Sequence, residues 1–110
     1  MSANRTLLEG ELAEPVVVRA LPSGLPVARL ELEHQGPASG LGPLEELRVL
    51  ITVTASGSLA ERCRKLPVGT RLRVEGSLNR VRRLKGEEVR WGRMELAARR
   101  IEFPAGESDG

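Results

Sequence analysis

Alternating apolar and polar positions dominate the chain and predict short β-strands. Residues 5–13 place Leu8, Gly10 and Leu12 on one face, and the extended run continues through residues 16–19. Because glycine lacks a Cβ and tolerates close approach, we expect Gly10 to mark a bend. Together these residues form the first predicted strand.

The second predicted strand covers residues 27–34 and follows a turn. The turn sequence LPSGLP at residues 21–26 combines proline, which presets one backbone angle, with glycine, which accepts a positive one. This combination is typical of a hairpin. The residues of the strand predicted to face inward are Ala28, Leu30 and Leu32, with Arg29, Glu31 and Glu33 facing outward.

The third predicted strand covers residues 47–54. It follows residues 35–46, which are rich in glycine and proline and are expected to form a long mobile loop. The residues predicted to share its inner face are Leu47, Val49, Ile51 and Val53.

A change of period predicts a short helix before the chain returns to alternation. Ser58 followed by Glu61 has the spacing of a capping box at the head of LAERCRKL, and Pro67 ends the helix. Cys63 falls inside this segment, where a buried structural role is expected. The cations of the predicted helix are assigned to its solvent face, without a functional role: Arg62, Arg64 and Lys65.

Two further strands complete the pattern, joined by a basic segment expected to be a loop. Strand four covers residues 68–78 and strand five residues 91–103, with a bulge expected at 97–99 because the alternation skips there. The inward residues predicted for strand four are Leu72, Val74, Gly76 and Leu78. Those predicted for strand five are Met94, Leu96, Ile101 and Phe103.

The order of three strands, a short helix and two strands is that of the five-stranded Greek-key barrel called the OB-fold. The sequence therefore predicts an all-β OB-fold domain over residues 1–104, with a disordered tail over 105–110. In such barrels, oligonucleotides lie across strands two and three and between the loops that join strands one to two and four to five.

Charge distinguishes the second of those loops. The whole chain carries a net charge of +2, whereas residues 80–93 alone carry +4, with six cations and two glutamates. Positive charge concentrated in one segment is what a phosphate-binding site requires. The cations of this segment are Arg80, Arg82, Arg83, Lys85, Arg90 and Arg93.

Trp91, the only tryptophan, lies within this basic segment. Single strands are held by cations that track phosphates and by aromatic faces that stack on bases, and this segment offers both. Two interpretations of Trp91 stay open, because a tryptophan beside a strand packs into a core or a subunit contact about as often as it stacks on a ligand.

Enzymatic and membrane functions find little support. No apolar run is long enough to span a membrane and no export signal is present, which favours a cytoplasmic location. The single Cys63 and single His34 provide neither an internal disulfide nor a metal site, and no nucleophile has a base beside it. We therefore expect no catalytic residue, no metal and no cofactor.

Several segments also resemble the primosomal replication protein N (PriB) family, relatives of bacterial single-stranded DNA-binding protein. The resemblance runs through residues 4–103 and is carried by NRTLLEGEL, LPSGLPVARLELEHQ, VGTRLRVEGSL and MELAARRIEF, with SGLPVARLELEH as its most specific piece. It implies a homodimer of OB barrels that binds single-stranded DNA and helps a helicase restart stalled replication forks with other primosome proteins.

One departure from that family concerns the third strand and the loop before it. Relatives often carry aromatic residues there, whereas LGPLEELRVLITV has none, so base stacking should be poor on that side. Arg48 lies opposite the core row and is a candidate to lie flat on a base. Arg19 falls where the family places a basic residue at the end of strand one and is a candidate phosphate contact; simple solvent exposure is the alternative for both.

Three other functions compete with the primosomal one. A general single-stranded DNA-binding protein is expected to carry a long flexible tail with an acidic apolar tip, which PAGESDG does not match. An RNA-binding OB-fold protein of translation is compatible with the charge and the fold. A protein-docking module is the third alternative, favoured if the affinity for DNA is negligible near physiological salt.

Overall fold

The computed structural model of the protein describes residues 2–103, and the alternating segments form strands throughout. One short helix interrupts them. The elements are β1 Thr6–Leu12, β2 Val17–Ala20, β3 Pro26–Pro37, β4 Glu46–Ser56, α1 Ser58–Cys63, β5 Arg71–Lys85 and β6 Glu88–Glu102. The predicted tail, residues 105–110, lies outside the described residues.

The strands close into a barrel. Neighbours follow the order β1-β5-β6-β4-β3, and β1 pairs again with β3 to complete a ring of five strands. The pairing of β4 with β6 is parallel and the other pairings are antiparallel. This Greek-key order, with α1 between β4 and β5, confirms the predicted OB-fold.

The first predicted strand is interrupted in the structure. β1 pairs with β3 at Glu11 and Leu12, and β2 pairs with the next part of the same edge of β3, from Val17 opposite Arg29 onward. The residues between them include Pro15, which lacks the N–H that a continuous ladder would need. β1 and β2 therefore follow one edge of β3 as a broken strand.

The barrel core consists of the apolar rows that the alternation predicts. Leu30, Leu32 and Val53 are fully buried, as are Val74 and Leu96. Ile51, Leu78 and Phe103 pack against this core from partly buried positions. Met94 is a wrong prediction, because 54% of its surface is exposed.

The reason lies in how far β6 extends. Leu96 pairs with Leu78 in the last ring of core residues, and Met94, one step further, pairs with Arg80 beyond the barrel. Met94 keeps the inward phase of the alternation, but no opposite wall remains to cover it.

Two glycines allow strands to approach one another closely. A Cβ on Gly10 would overlap the carbonyl oxygen of Glu33, where β1 passes from β5 to β3, and this is the position of the predicted bend. A Cβ on Gly76 would overlap the carbonyl oxygen of Ala97. The predicted bulge lies opposite Gly76, since Arg99 is the extra residue between the pairs of β5 and β6.

The short helix is confirmed, but the predicted capping box is wrong. The N-cap position is Gly57, whose φ of 66° suits glycine, and no side chain caps the helix. Glu61 instead accepts a hydrogen bond from Arg64 Nη2 at 2.6 Å, on the solvent side. Cys63 is buried as expected, and burial raises the pKa of its thiol despite the neighbouring Arg62 charge.

Both predicted long loops are shorter than expected, because the strands beside them extend into hairpins. The β3–β4 ladder continues to Pro37 opposite Glu46, leaving residues 38–45 as the loop instead of 35–46. The β5–β6 ladder continues to Lys85 opposite Glu88, so the predicted basic loop is a hairpin with a two-residue turn. Gly86, with φ of 65°, supplies the positive angle that such a turn requires.

Two features are absent from the described part of the chain, namely a membrane-spanning helix and a cluster of metal ligands. No helix between residues 2 and 103 has the length and apolar character to cross a membrane. In the same range, no three His, Cys, Asp or Glu side chains converge as metal ligands would.

Candidate nucleic-acid interface

The six cations of residues 80–93 lie on the projecting end of the β5–β6 hairpin, which we call the basic arm. β1 pairs with β5 only as far as Gly76, and β4 pairs with β6 only at residues 95–97. The arm therefore extends beyond its neighbours, and its side chains face solvent on both sides.

One face of the basic arm carries its aromatic residue. Partners opposite each other in an antiparallel ladder point to the same side, and Trp91 is opposite Arg82. The same face carries Met94 opposite Arg80 and the exposed pair of Leu84 and Val89. It thus combines cations with apolar surface.

Trp91 is 53% exposed and does not pack in the barrel core. It borders a shallow groove of about 280 Å³, also lined by Leu78, Asn79, Arg80 and Met94. Of the alternatives that the sequence leaves open, core packing is therefore wrong for the single chain, whereas a ligand or a second subunit can still cover the ring.

Arg80 has a structural task that the sequence does not reveal. Its Nη2 donates to the Trp91 carbonyl at 2.9 Å and its Nε to the Gly92 carbonyl at 3.0 Å. These carbonyls belong to an irregularity of the ladder, where Arg80 is opposite Met94 and Arg82 is opposite Trp91. Arg80 thus fixes the backbone that carries the indole.

The other cations of the basic arm differ in how they are neutralised. Arg90 pairs with Glu88 at 3.2 Å. Arg83 lies directly opposite Arg90 in the ladder, and Glu88 is the carboxylate on this face that offsets the like-charge arrangement. Within residues 2–103, the cations of the arm that make no salt bridge to a carboxylate are Arg80, Arg82, Arg83, Lys85 and Arg93.

Arg48 lies at the same end of the barrel as the basic arm. β4 and β6 run parallel with Thr52 opposite Glu95, so the residues before them in both strands extend in the same direction. Arg48 and Trp91 each precede this pair by four positions. Arg48 is exposed and donates from Nε to Glu46 at 2.7 Å, and this hydrogen bond raises the pKa of the guanidinium.

Arg19 lies at the opposite end. It pairs with Val27, which in turn is opposite Ser56 at the end of β4. Eight residues separate Ser56 from Arg48 along β4, or roughly 26 Å at the usual rise of a strand. The structure thus brings Arg48 and the arm residues to one end and leaves Arg19 at the other.

The hairpin of β3 and β4 carries exposed apolar residues that sequence analysis does not identify as site candidates. Leu50 is 64% exposed on the outer face of β4, and Leu41 and Leu44 are exposed in the loop between β3 and β4. The signal for Leu50 is visible in the sequence, since an apolar residue stands in the otherwise polar outward row of LRVLITVT. Loop leucines give no comparable signal.

The fold and the projecting basic arm define the chain as an OB-fold protein with an exposed surface that joins cations to an aromatic ring. A family model described as "Another single-strand binding protein family" matches residues 4–89, most of the chain. The protein therefore belongs to this single-strand binding protein family.

Solved structures of similar fold include protein PriB from Ralstonia solanacearum, at 24% identity and a TM-score of 0.74, covering 93% of this chain and 98% of that one. At this identity the likeness concerns the fold. The single-stranded DNA binding protein from Thermus aquaticus is 26% identical, with a TM-score of 0.70. It covers 98% of this chain, which spans 46% of the Thermus protein. No curated protein matched the sequence.

Proposed function

We propose that this protein is a non-enzymatic, single-stranded DNA-binding OB-fold subunit that uses the basic arm as its main contact. The proposed contacts are those predicted from the sequence, namely Arg19, Arg48, Arg80, Arg82, Arg83, Lys85, Arg90, Trp91 and Arg93. Membership of the single-strand binding family and the chemistry of the arm support this proposal.

One observation carries the proposal: on one face of the arm, exposed Trp91 lies directly opposite Arg82, a cation without a carboxylate partner among residues 2–103. A base can stack on the indole while its phosphate approaches the guanidinium. Stacking contributes about 1–3 kcal/mol per base by alanine substitution, and phosphate contacts add a term that weakens with salt.

The biological setting is proposed from the PriB resemblance. We infer that the protein acts as a homodimer in the cytoplasm, in a replication restart primosome, where it contacts a restart helicase. The β3–β4 hairpin, with Leu41, Leu44 and Leu50 exposed, offers an apolar surface at the same end of the barrel for such a contact.

The proposed function is tested by removing three cations from the arm together. A variant in which Arg82, Arg83 and Lys85 are changed to alanine should bind oligo-dT more weakly than wild type does. This should hold for every oligomer length that wild type binds. The slope of log affinity against log salt should fall by about 2, since each phosphate contact on a single strand contributes about 0.7. Fluorescent oligo-dT titrated at several salt concentrations provides the measurement.

A matched control removes three cations that pair with carboxylates elsewhere: Arg64, Arg71 and Arg73. Both triple variants lower the net charge equally, so only a local site predicts that they differ. Equal affinities and slopes for both variants and the wild type would exclude the arm as the site. Repeating the titration with RNA of the same sequence tests the alternative function in translation.

A further inference from the structure

Cations that lack a carboxylate partner concentrate at the two ends of the barrel. All seventeen lysines and arginines fall within residues 2–103, and eight of them form salt bridges there. Five of the other nine belong to the basic arm. The remaining four lie at the far end of the barrel, and they are Arg19, Arg62, Lys65 and Arg99.

Two of these far-end cations line one groove. The groove, of about 690 Å³, lies between α1 and the last residues of β6, and its walls include Arg62, Arg99 and Phe103. Arg62 lies 5.8 Å above the Phe103 ring, and Arg99 donates from Nη2 to the neutral Ser77 hydroxyl at 3.0 Å. Neither guanidinium has its charge neutralised by these contacts.

The groove owes its charge to the bulge in β6. Ala98 is opposite Gly76 and Arg100 is opposite Glu75, so Arg99 is inserted without a cross-strand partner. An inserted residue re-aims side chains next to functional sites. Arg100 pairs with Glu102 at 3.0 Å, which leaves Arg99 and Arg62 as the cations of the groove available to an anion.

The groove and the basic arm are connected along one strand. β6 passes from Arg93 in the arm to Arg99 at the groove over six residues, or roughly 20 Å. Midway, Ala97 is opposite Ser77 of β5 on one side and Thr54 of β4 on the other. These side chains are small and uncharged, and the one carboxylate of β6 between Arg93 and Arg99 is Glu95, two residues before Ala97 in the same outward row.

We propose that the groove between α1 and the end of β6 is a second phosphate-binding subsite, which holds the same single strand that the basic arm binds. This inference rests on the proposed function. An acidic peptide would also suit two free guanidinium groups, but it would not account for their alignment with the basic arm along β6.

The test compares two lengths of oligo-dT, about 4 and about 16 nucleotides, the limits of site size for one OB barrel. In the variant, Arg62→Gln is combined with Arg99→Gln. The control combines Arg64→Gln with Arg71→Gln, which removes two cations that have carboxylate partners. For the long oligomer, the salt slope of the groove variant should fall by about 1.4, and the control should match wild type.

For the short oligomer, which the arm alone accommodates, the groove variant should bind like wild type. An unchanged slope on the long oligomer would overturn the second subsite and leave the arm intact. Equal losses in variant and control would also overturn it, as a net-charge effect. If wild type bound neither oligomer, the proposed function and the subsite would fail together.

A labelled oligoglutamate peptide distinguishes the other kind of partner. The deciding result has three parts: wild type binds the peptide, the groove variant does not bind it, and the salt slope for the long oligomer is the same in both proteins. In that case the groove belongs to an acidic protein partner and the DNA assignment is wrong.

Discussion

An indole half exposed to water on a projecting hairpin requires an explanation in terms of what contacts it. Trp91 lies outside the barrel core, and Arg80 holds the backbone on which it stands. A half-exposed indole has only two rotatable bonds and stands on a backbone that Arg80 holds, so it can stack at a small cost in side-chain entropy. The residue is thus prepared for a flat ligand or a second chain.

Trp91→Ala should lower the affinity for oligo-dT by about 1–3 kcal/mol, because it removes one stacked base. The melting temperature should change little, since the ring is not part of the core. Indole fluorescence quenching on addition of oligo-dT reports the stacking directly, and the titration of the variant gives the affinity. The salt slope should be unchanged, because no cation is removed.

Trp91→Phe is the matched variant, since it keeps an aromatic face of smaller area and should retain most of the affinity. A loss of roughly 3–5 kcal/mol of stability in Trp91→Ala, with DNA affinity preserved in the folded fraction, would show instead that the ring packs against protein.

A second residue-scale prediction concerns Cys63. Burial raises the pKa of its thiol and keeps reagents away, so the thiolate that would react is scarce in the folded protein. We expect a thiol-specific reagent at neutral pH to label Cys63 only after denaturant is added. Rapid labelling of the native protein, at the rate of a free thiol, would contradict the structure at this position.

At the scale of elements, the geometry of the bulge depends on Gly76. β5 and β6 approach so closely there that no Cβ fits beside the Ala97 carbonyl. The bulge at Arg99 lies on the opposite strand at this point, so the close approach and the inserted residue form one structural feature. The two arginines that follow Ala98 owe their placement to it.

Gly76→Ala should destabilise the protein by about 1–3 kcal/mol, because the strands must separate to admit a methyl group. This corresponds to a fall of roughly 5–20 °C in the melting temperature of a domain of this size. Gly92→Ala is the control, since its Cβ would lie 3.4 Å from the Val81 carbonyl oxygen, an ordinary contact. Equal melting temperatures in thermal denaturation of the two variants would contradict the crowding at Gly76.

The elements also show how far sequence reasoning reaches. The rows through Leu30, Val53 and Val74 are predictable because alternation reports burial locally, one residue at a time. Met94 is not, because its exposure depends on where the neighbouring strands end, which is a property of the whole barrel. The charges and glycines of residues 80–93 suggest a loop. The segment forms a hairpin instead, because backbone hydrogen bonds between two strands joined by a two-residue turn do not require apolar side chains.

The candidate site is predictable in part for the same reason. The concentration of cations and the presence of Trp91 are visible in the sequence, and the structure places them on one arm. Salt bridges such as Arg90 to Glu88, and the hydrogen bonds of Arg80 to carbonyl groups, depend on register and could not be foreseen. The distance between Arg19 and the basic arm could not be foreseen either, because it depends on the order of the strands.

At the scale of the whole molecule, charge and apolar surface are distributed differently. Cations without a carboxylate partner among residues 2–103 occupy the two ends of the barrel. β1 instead combines an exposed Leu7 with a partly open edge, since it meets β3 only at Glu11 and Leu12. Open strand edges invite pairing with another chain, and a small barrel gains stability when such surface is covered. β1 is therefore the element best suited to hold the proposed homodimer together.

Sedimentation at micromolar concentration should give about twice the chain mass of 12.0 kDa, as expected for closed two-fold assembly. Leu7→Glu should shift the protein toward monomer, because a charge would replace an exposed apolar side chain at the open end of β1. Val68→Glu is the control, since Val68 is similarly exposed but lies before β5, beside the end of β1 that β3 already covers. If both variants dissociate equally, β1 does not form a subunit interface. If wild type itself sediments as a monomer, β1 forms no interface either, and any continuous DNA track must lie on one barrel alone.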